Sequence, residues 1–163
     1  MVIKQTLTNN LKLKGELIIT IRDAKTNRIK DQTHYKNLVV NAGLASIAAA
    51  LRGSTASNKG IITYLALGDD NTTPESTDTT LGNETIRKLI ADRYNLNSDS
   101  KVAVFRAFFN TSEANDTHLE AGLFGDDATG TADSGTLFCH TAINKTKTSA
   151  DTMTIEWRVT IGV

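Results

Sequence analysis

The alternation of apolar and polar residues is strongest near the C-terminal end of the chain. Between residues 151 and 161 every second side chain is apolar, and those between them are polar. This period of two is typical of a strand with one buried face, so Trp157 is predicted to be a core residue. Residues 135–143 alternate in the same way, and the two segments are predicted to pair as a hairpin. The apolar set of the last strand is Met153, Ile155, Trp157, Val159 and Ile161.

Strand patterns also occur in the first two thirds of the chain. Residues 16–22 and 28–35 flank the polar turn 23–27 and are predicted to form a hairpin. Residues 101–110 are apolar on both faces except at Arg106, which is typical of a strand in the middle of a sheet. Residues 61–67 are also predicted to form a strand. The spacing of residues 81–93 fits a helix, whereas the motif resemblance given below implies a strand over residues 84–94, which we adopt.

One helix is predicted, over residues 41–52. Asn41 can cap the free amides of the first turn, and Gly53 follows the last residue of the pattern. One side of this helix is predicted to lie against a sheet. The apolar residues at helical spacing are Leu44, Ile47, Ala48 and Leu51.

These elements predict a mainly β protein with an antiparallel two-sheet β-sandwich and one short α-helix. A chain of 163 residues has the length of about one domain. We assign residues 15–163 to that single β-sandwich domain. Residues 1–14 are predicted to be an arm, which either pairs with a neighbouring molecule or is a frayed terminus.

The charge balance argues against two classes of partner. The chain has 18 basic and 18 acidic residues, so no net charge attracts nucleic acid or an anionic membrane. The longest apolar run, residues 47–51, is far shorter than the ~20 residues that span a bilayer. Threonine is abundant, with 24 residues. Its branched side chain suits strand faces that meet water or another subunit.

No constellation of catalytic or metal-binding residues is recognisable, and we expect neither an enzyme nor a cofactor. Cys139 is the single cysteine and is predicted to be a buried structural residue. His34, His118 and His140 lie in separate segments without the spacing of zinc ligands. No Gly-x-Ser-x-Gly nucleophile motif is present.

Two acidic loops resemble cation sites only superficially. Asp69 and Asp70 form one of them, and Asp126 and Asp127 form the other, with Asp133 nearby. Neither loop has the alternating ligands, the central glycine and the distal glutamate of a calcium loop. We interpret both as solvated turns, with a weakly bound ion at a subunit contact as the alternative.

Glu120 is predicted to be partly buried where its strand enters the core. A buried carboxylate needs a basic partner, for which Arg87, Arg106 and Arg158 are the candidates. Glu84 and Arg87 are predicted to pair across a strand or between subunits. We interpret these groups as structural ion pairs rather than catalytic carboxylates.

Four short motifs resemble those of a known group of proteins. They are residues 36–45 (KNLVVNAGLA), 62–68 (ITYLALG), 81–84 (LGNE) and 120–124 (EAGLF). In this order and spacing, the chain resembles small bacteriophage virion proteins. It is similar to the first domain of phage tail-collar fibres and to short chains that are called tail, fibre or structural proteins.

This resemblance implies a non-enzymatic subunit of the virion, part of the tail, baseplate or fibre apparatus and assembled in the host cytoplasm. The expected partners are copies of the same chain, in a trimer or larger ring, and other virion proteins. One alternative is a decoration protein that binds the major capsid protein and stabilises the shell. A second is a receptor- or carbohydrate-binding module, although Tyr35, Tyr64 and Tyr94 are spread apart in the sequence.

Overall fold

The computed structural model describes residues 12–53, 60–96 and 99–162, which form nine strands and one helix. The predicted arm, residues 1–14, lies outside the described residues except for its last three, which begin β1. The elements in chain order are β1 Lys12–Asp23, β2 Ile29–Val39, α1 Asn41–Leu51, β3 Ile62–Gly68, β4 Glu84–Leu89, β5 Asp92–Leu96, β6 Asp99–Phe109, β7 Thr117–Gly125, β8 Thr136–Thr146 and β9 Asp151–Gly162.

The strands form one antiparallel sheet in the order β4-β3-β7-β8-β2-β1-β9-β6-β5. This sheet curls into a half-barrel. We call β2-β1-β9-β6-β5 the first half and β4-β3-β7-β8 the second half. The halves are joined where β2 pairs with β8 at Leu38–His140 and Val39–Cys139. The predicted antiparallel, mainly β fold is therefore confirmed, but the strands belong to one curled sheet instead of two separate ones.

The predicted pairing of the last two strands is wrong. β9 pairs with β1 and β6 in the first half, whereas β8 pairs with β7 and β2. Residues 147–150 carry the chain from one half to the other. The alternation of apolar residues specifies which face of a strand is buried, but it does not specify the neighbouring strand.

The main core lies between the two halves of the sheet. Met153, Ile155, Trp157 and Val159 are at most 4% exposed, which confirms the predicted buried face of β9. Ile161 belongs to the same alternating set but is 41% exposed. The core-facing residues of β9 lie beside those of β1 and pack against a set from the second half that includes Leu65, Leu67, Ala121 and Leu123.

The second half is also covered on its outer face. A smaller apolar cluster lies there and contains Val40, Ala66, Leu81, Phe124 and Leu137. Residues 69–83, which we call the strap, run from β3 to β4 and place Leu81 in this cluster. The strands β3 and β7 and much of β8 are thus buried on both faces, whereas β4 is only partly buried. Among the described residues, no comparable layer covers the outer face of the first half.

Helix α1 confirms the predicted element but not its details. Val40, not Asn41, is the N-cap residue, and its side chain makes no capping bond. The buried residues are Gly43 and Ser46, while Leu44 and Leu51 are 44% and 84% exposed. A Cβ atom at position 43 would lie 2.4 Å from the carbonyl oxygen of Phe138. The helix approaches β8 too closely for a larger residue, so its smallest side chains face the sheet.

Residues 84–94 adopt the predicted extended conformation but belong to two strands. β4 and β5 are the two edges of the sheet and are separated only by Ile90 and Ala91. The amide of Ile90 donates to Thr63 in β3, and the amide of Ala91 donates to Arg106 in β6. At this corner the chain steps from one half to the other. No helix among the described residues is both long enough and apolar enough to cross a membrane.

Replacing Trp157 with alanine should lower the free energy of unfolding by about 3–5 kcal/mol, because a fully buried indole is lost between the halves. Trp157→Phe should cost less, since the indole N–H has no hydrogen-bond acceptor among the described residues. Urea titration followed by circular dichroism measures both changes. Tyr94→Ala, at a 39% exposed position, is the control. An unchanged midpoint for Trp157→Ala would contradict the assigned core.

Candidate functional site

The outer face of the first half is a broad polar strand face. It is formed by the side chains that alternate with the core residues of β1 and β9, as the sequence predicted for β9. Ile18 and Thr20 lie on this face and are only 8% exposed, so its floor is well packed. Its polar members include Thr20, Arg22, Thr152, Thr154, Glu156, Arg158 and Thr160.

A groove crosses four strands on this face. Gln32, Thr20, Thr154 and Phe108 lie side by side, in β2, β1, β9 and β6 respectively. The groove has a volume of about 420 Å³. Gln32 Nε2 donates to Thr20 Oγ1 over 2.9 Å, and Phe108 stands 48% exposed at the other end. Hydroxyl, amide and aromatic groups are therefore offered together on one open surface.

The charged groups beside the groove neutralise one another. Glu156 accepts from Arg106 Nη2 over 2.7 Å and pairs with Arg158 Nη2 over 2.6 Å. Partial burial would raise the pKa of Glu156, but the hydrogen bonds from Arg106 and Arg158 lower it. Arg106 also donates to the hydroxyl of Tyr94. Arg106 and Arg158, two of the predicted partners of Glu120, are thus used on the opposite side of the molecule.

Glu120 is buried in the second half, at 1% exposure, and its partner is a histidine. Its Oε2 atom lies 3.0 Å from His140 Nε2. The backbone amides of Gly82 and Asn83 donate to its two oxygens over 2.9 and 2.8 Å. The other ring nitrogen, Nδ1 of His140, lies 2.8 Å from Oδ2 of Asp78. The predicted burial of Glu120 is confirmed, but the predicted arginine partner is wrong.

The positions of the two carboxylates favour a charged imidazole. Burial lowers the pKa of His140, but the hydrogen bonds to Glu120 and Asp78 raise it above the ordinary value. For Glu120, burial raises the pKa, whereas the bonds from His140, Asn83 and Gly82 lower it. Both shifts favour the ionised forms. The carboxylates on β7 and the strap therefore hold an imidazolium on β8 between them.

Gly68 provides the space for this buried carboxylate. It lies opposite Glu120 in the β3–β7 pair. A Cβ atom at position 68 would be 2.3 Å from Glu120 Oε1 and 2.5 Å from the carbonyl oxygen of Asn83. Any larger residue would displace either the carboxylate or the strap. The glycine that ends the motif at 62–68 therefore has a packing explanation.

Glu84 and Arg87 form a second buried ion pair, but they pair within one strand instead of across a strand or between subunits as predicted. They lie on the same strand, β4, and are joined by two contacts of 2.5 and 2.6 Å. The guanidinium also lies 4.7 Å from the centre of the Phe124 ring. Its Nη1 atom donates to the carbonyl oxygens of Thr129 and Ser134. This pair therefore fixes the loop between β7 and β8 against the outer face of the second half.

The remaining candidates have local structural contacts. Burial raises the pKa of the Cys139 thiol, which keeps it protonated. His34 pairs with Glu16 on the outer face of the first half, and His118 Nε2 donates to the carbonyl oxygen of Ala114. In the described parts of the chain, no group of three histidine, cysteine or acidic residues is arranged to hold a metal ion.

The acidic loops are built into turns. Asp69 accepts from the side chain of Asn83, and Asp70 accepts from the amide of Thr72. Asp126, at 6% exposure, accepts from the amide of Gly60 over 2.6 Å, so its interpretation as a solvated residue is wrong. Asp126, Asp127 and Asp133 all have positive φ angles. Aspartate is among the residues that tolerate this conformation.

Sequence reasoning missed a buried lysine at the corner between β8 and β9. Lys147 is 1% exposed and its Nζ atom donates to Asn115 Oδ1 over 2.7 Å. Burial lowers the pKa of this amine. Sequence reasoning also missed Asp78, which lies among many other polar residues in the strap. Neither residue belongs to a periodic pattern, so only the folded chain shows their environment.

Comparisons of the chain with protein-family models, curated proteins and solved structures find no match.

Glu120→Gln should destabilise the fold by about 3 kcal/mol near pH 7, because it removes the charge that pairs with buried His140. The pKa of Glu120 is lowered by folding, so its contribution is complete above about pH 4.3 and is lost as the pH falls through the lowered value. The difference between parent and variant should therefore shrink in acid. Urea unfolding between about pH 3 and pH 7 measures this difference in the free energy of unfolding. Glu75→Gln, on the exposed side of the strap, is the control. A difference that is independent of pH would contradict this account.

Arg87→Lys should also be costly, by about 2 kcal/mol, because an ammonium cannot reproduce the paired contacts to Glu84 together with the contacts to the loop carbonyls. The exposed Arg28→Lys is the matched control. Thermal unfolding measures the loss of stability, and hydrogen exchange should show weaker protection in residues 128–135. Equal behaviour of the two variants would show that the buried pair is not specific to arginine.

Proposed function

We propose that this chain is a non-enzymatic structural subunit of a bacteriophage virion, in the tail, baseplate or fibre apparatus, and that it acts by binding copies of itself. The observation that carries the proposal is the outer face of the first half. It offers threonine hydroxyls, the groove and the exposed ring of Phe108, next to arginines that are already paired with Glu156. The four phage-like sequence motifs support the placement in a virion.

The chemistry of this face suits contact with an identical surface. Its ion pairs are internal, so two copies can approach without bringing unpaired like charges together. A five-stranded face also presents polar groups at regular spacing, and a rotation axis can place them opposite their equivalents. Phe108 provides an apolar contact of the kind that contributes most to binding energy in interfaces. A homo-trimer or ring is the assembly that we propose.

The buried polar groups support a structural function. Glu84, Arg87 and Glu120 are each at most 4% exposed at the side chain and have close hydrogen-bonded partners. Each group joins a loop to the sheet, through the strap or through the loop between β7 and β8. These contacts stabilise the fold and leave the outer face of the first half as the surface for other molecules.

Phe108→Asp should weaken self-association by at least about thirtyfold, because it places a charge where the proposed contact has an exposed aromatic ring. Light scattering over a range of concentrations measures the assembly. Leu89→Asp is the matched control, since Leu89 is 57% exposed but lies on β4, in the other half of the sheet. The control should keep the parent's mass. Equal masses for parent and Phe108→Asp, or a monomeric parent at all concentrations, would contradict self-assembly through this face.

The place in the virion has its own test. Immunogold labelling of phage particles, or assignment of the chain to density in a cryo-EM map, should place it on the tail, baseplate or fibre. Label spread over the shell would overturn this placement in favour of a capsid decoration protein. Absence of the chain from purified particles would reject the virion function altogether.

A further inference from the structure

The strap is attached to the rest of the molecule at both its middle and its C-terminal end. Glu120 holds the C-terminal end through two backbone amides. His140 holds the middle, where Nδ1 meets Asp78. The carbonyl of Ser76, two residues earlier, accepts from the amide of Asn41 at the start of α1 over 2.8 Å. The middle of the strap therefore connects β8 to the helix.

The two carboxylates that contact His140 differ in their access to water. The side chain of Glu120 is 1% exposed, whereas that of Asp78 is 26% exposed. Glu120 accepts two further bonds from backbone amides, which fix both of its oxygens. The contacting oxygen of Asp78 accepts in addition from the amide of Glu75, within the strap itself. Asp78 can turn towards solvent and keep its hydration, but Glu120 cannot.

Both contacts require protons on the imidazole. An ionised carboxylate only accepts hydrogen bonds, so each ring nitrogen must donate, and this is true only of the imidazolium. A neutral ring keeps one N–H and has a lone pair on the other nitrogen. Because Glu120 is fixed and buried, the remaining proton is best placed on Nε2. The lone pair on Nδ1 then faces Asp78 Oδ2, and two acceptors 2.8 Å apart repel each other.

We propose that the strap is a pH-sensitive latch, closed while His140 carries its second proton and opened at Asp78 when that proton is lost in alkaline solution. The end anchored by Glu120 stays in place, and residues 72–80 move away from β8. The bond between Ser76 and Asn41 lies in the moving part, so opening also frees the first turn of α1. The latch is a property of the fold and does not rest on the proposed function.

The charges around His140 agree with this direction. Glu120 faces the ring from β7, and Asp78 faces it from the strap. Asp70, also in the strap, interacts with it electrostatically. Lys36 of β2 lines the adjoining cavity and is exposed to solvent. Acidic groups dominate these surroundings, so the imidazolium is favoured near neutrality and the open form is expected only above it.

Opening has a defined structural consequence. The strap, which includes Leu81, covers His140. Its threonines line a cavity of about 310 Å³ beside the imidazole ring of His140. When residues 72–80 move, solvent reaches the outer face of β8 around His140. The apolar cluster of the second half loses part of its cover. The main core between the halves lies on the other face of these strands and remains closed.

The test is hydrogen exchange of the full-length protein, followed by mass spectrometry from about pH 6 to about pH 9.5, with each rate corrected for the intrinsic effect of pH. Ring NMR signals follow the titration of His140 in the same buffers. Protection of amides in residues 72–80 should fall by at least about tenfold as His140 deprotonates, because a charge-assisted hydrogen bond between Nδ1 and Asp78 is replaced by a contact between two acceptors. Amides in β1 and β9 should remain protected.

One control variant and two test variants make the result decisive. His34→Gln is the matched control, since His34 also pairs with a carboxylate, Glu16, but is half exposed and lies in the first half; it should behave as the parent does. In His140→Gln the strap should be poorly protected at every pH. Asp78→Asn, at a more exposed position, tests the same contact if His140→Gln does not fold, and should abolish the pH dependence. Constant protection throughout the titration of His140, or a pH-dependent loss that persists in His140→Gln or in Asp78→Asn, would overturn the latch.

Discussion

The pairing of β1 with β9 is the contact on which the rest of the sheet depends. It joins the first described strand to the last one through twelve consecutive residue pairs, from Lys12–Gly162 to Asp23–Asp151. β2 is attached to one side of this pair and β6 to the other. Because the partners are separated by most of the chain, the sheet is complete only after β9 has been added. Such non-local pairing is typical of slowly folding β proteins.

The second half of the sheet imposes a different requirement. Its strands β3 and β7 and much of β8 are buried on both faces, yet the covering segments are loops whose backbone groups need hydrogen-bond partners. Glu120 supplies acceptors for the strap, and Arg87 supplies donors for the loop between β7 and β8. Each charge is neutralised by an adjacent group, His140 or Glu84. The buried ion pairs are therefore the means by which irregular segments are held over a β-sheet.

The sequence predicted properties that depend on near neighbours better than those that depend on distant ones. The buried face of β9 and the hairpin of β1 with β2 follow from the local pattern and agree with the structure. The strand that pairs with β9 does not follow from the local pattern, because strands of similar pattern can pair interchangeably. For α1, hydrophobic spacing favoured Leu44 as a buried residue, but close approach to Phe138 requires Gly43 there. Likewise, the partner of Glu120 was sought among arginines, because the path of the strap over His140 is not encoded in any local pattern.

The short link through Ile90 and Ala91 affects how the sheet can grow. The two edge strands of many sheets lie at opposite ends, so that copies can add at both ends and build an open fibre. Here β4 and β5 are successive segments of the chain, and curling brings their junction to a single corner. A strand from another molecule that pairs with one edge near this corner occupies space that a second added strand would need at the other edge. The junction therefore restricts strand addition at this corner, a restriction that does not apply to the outer face of the first half.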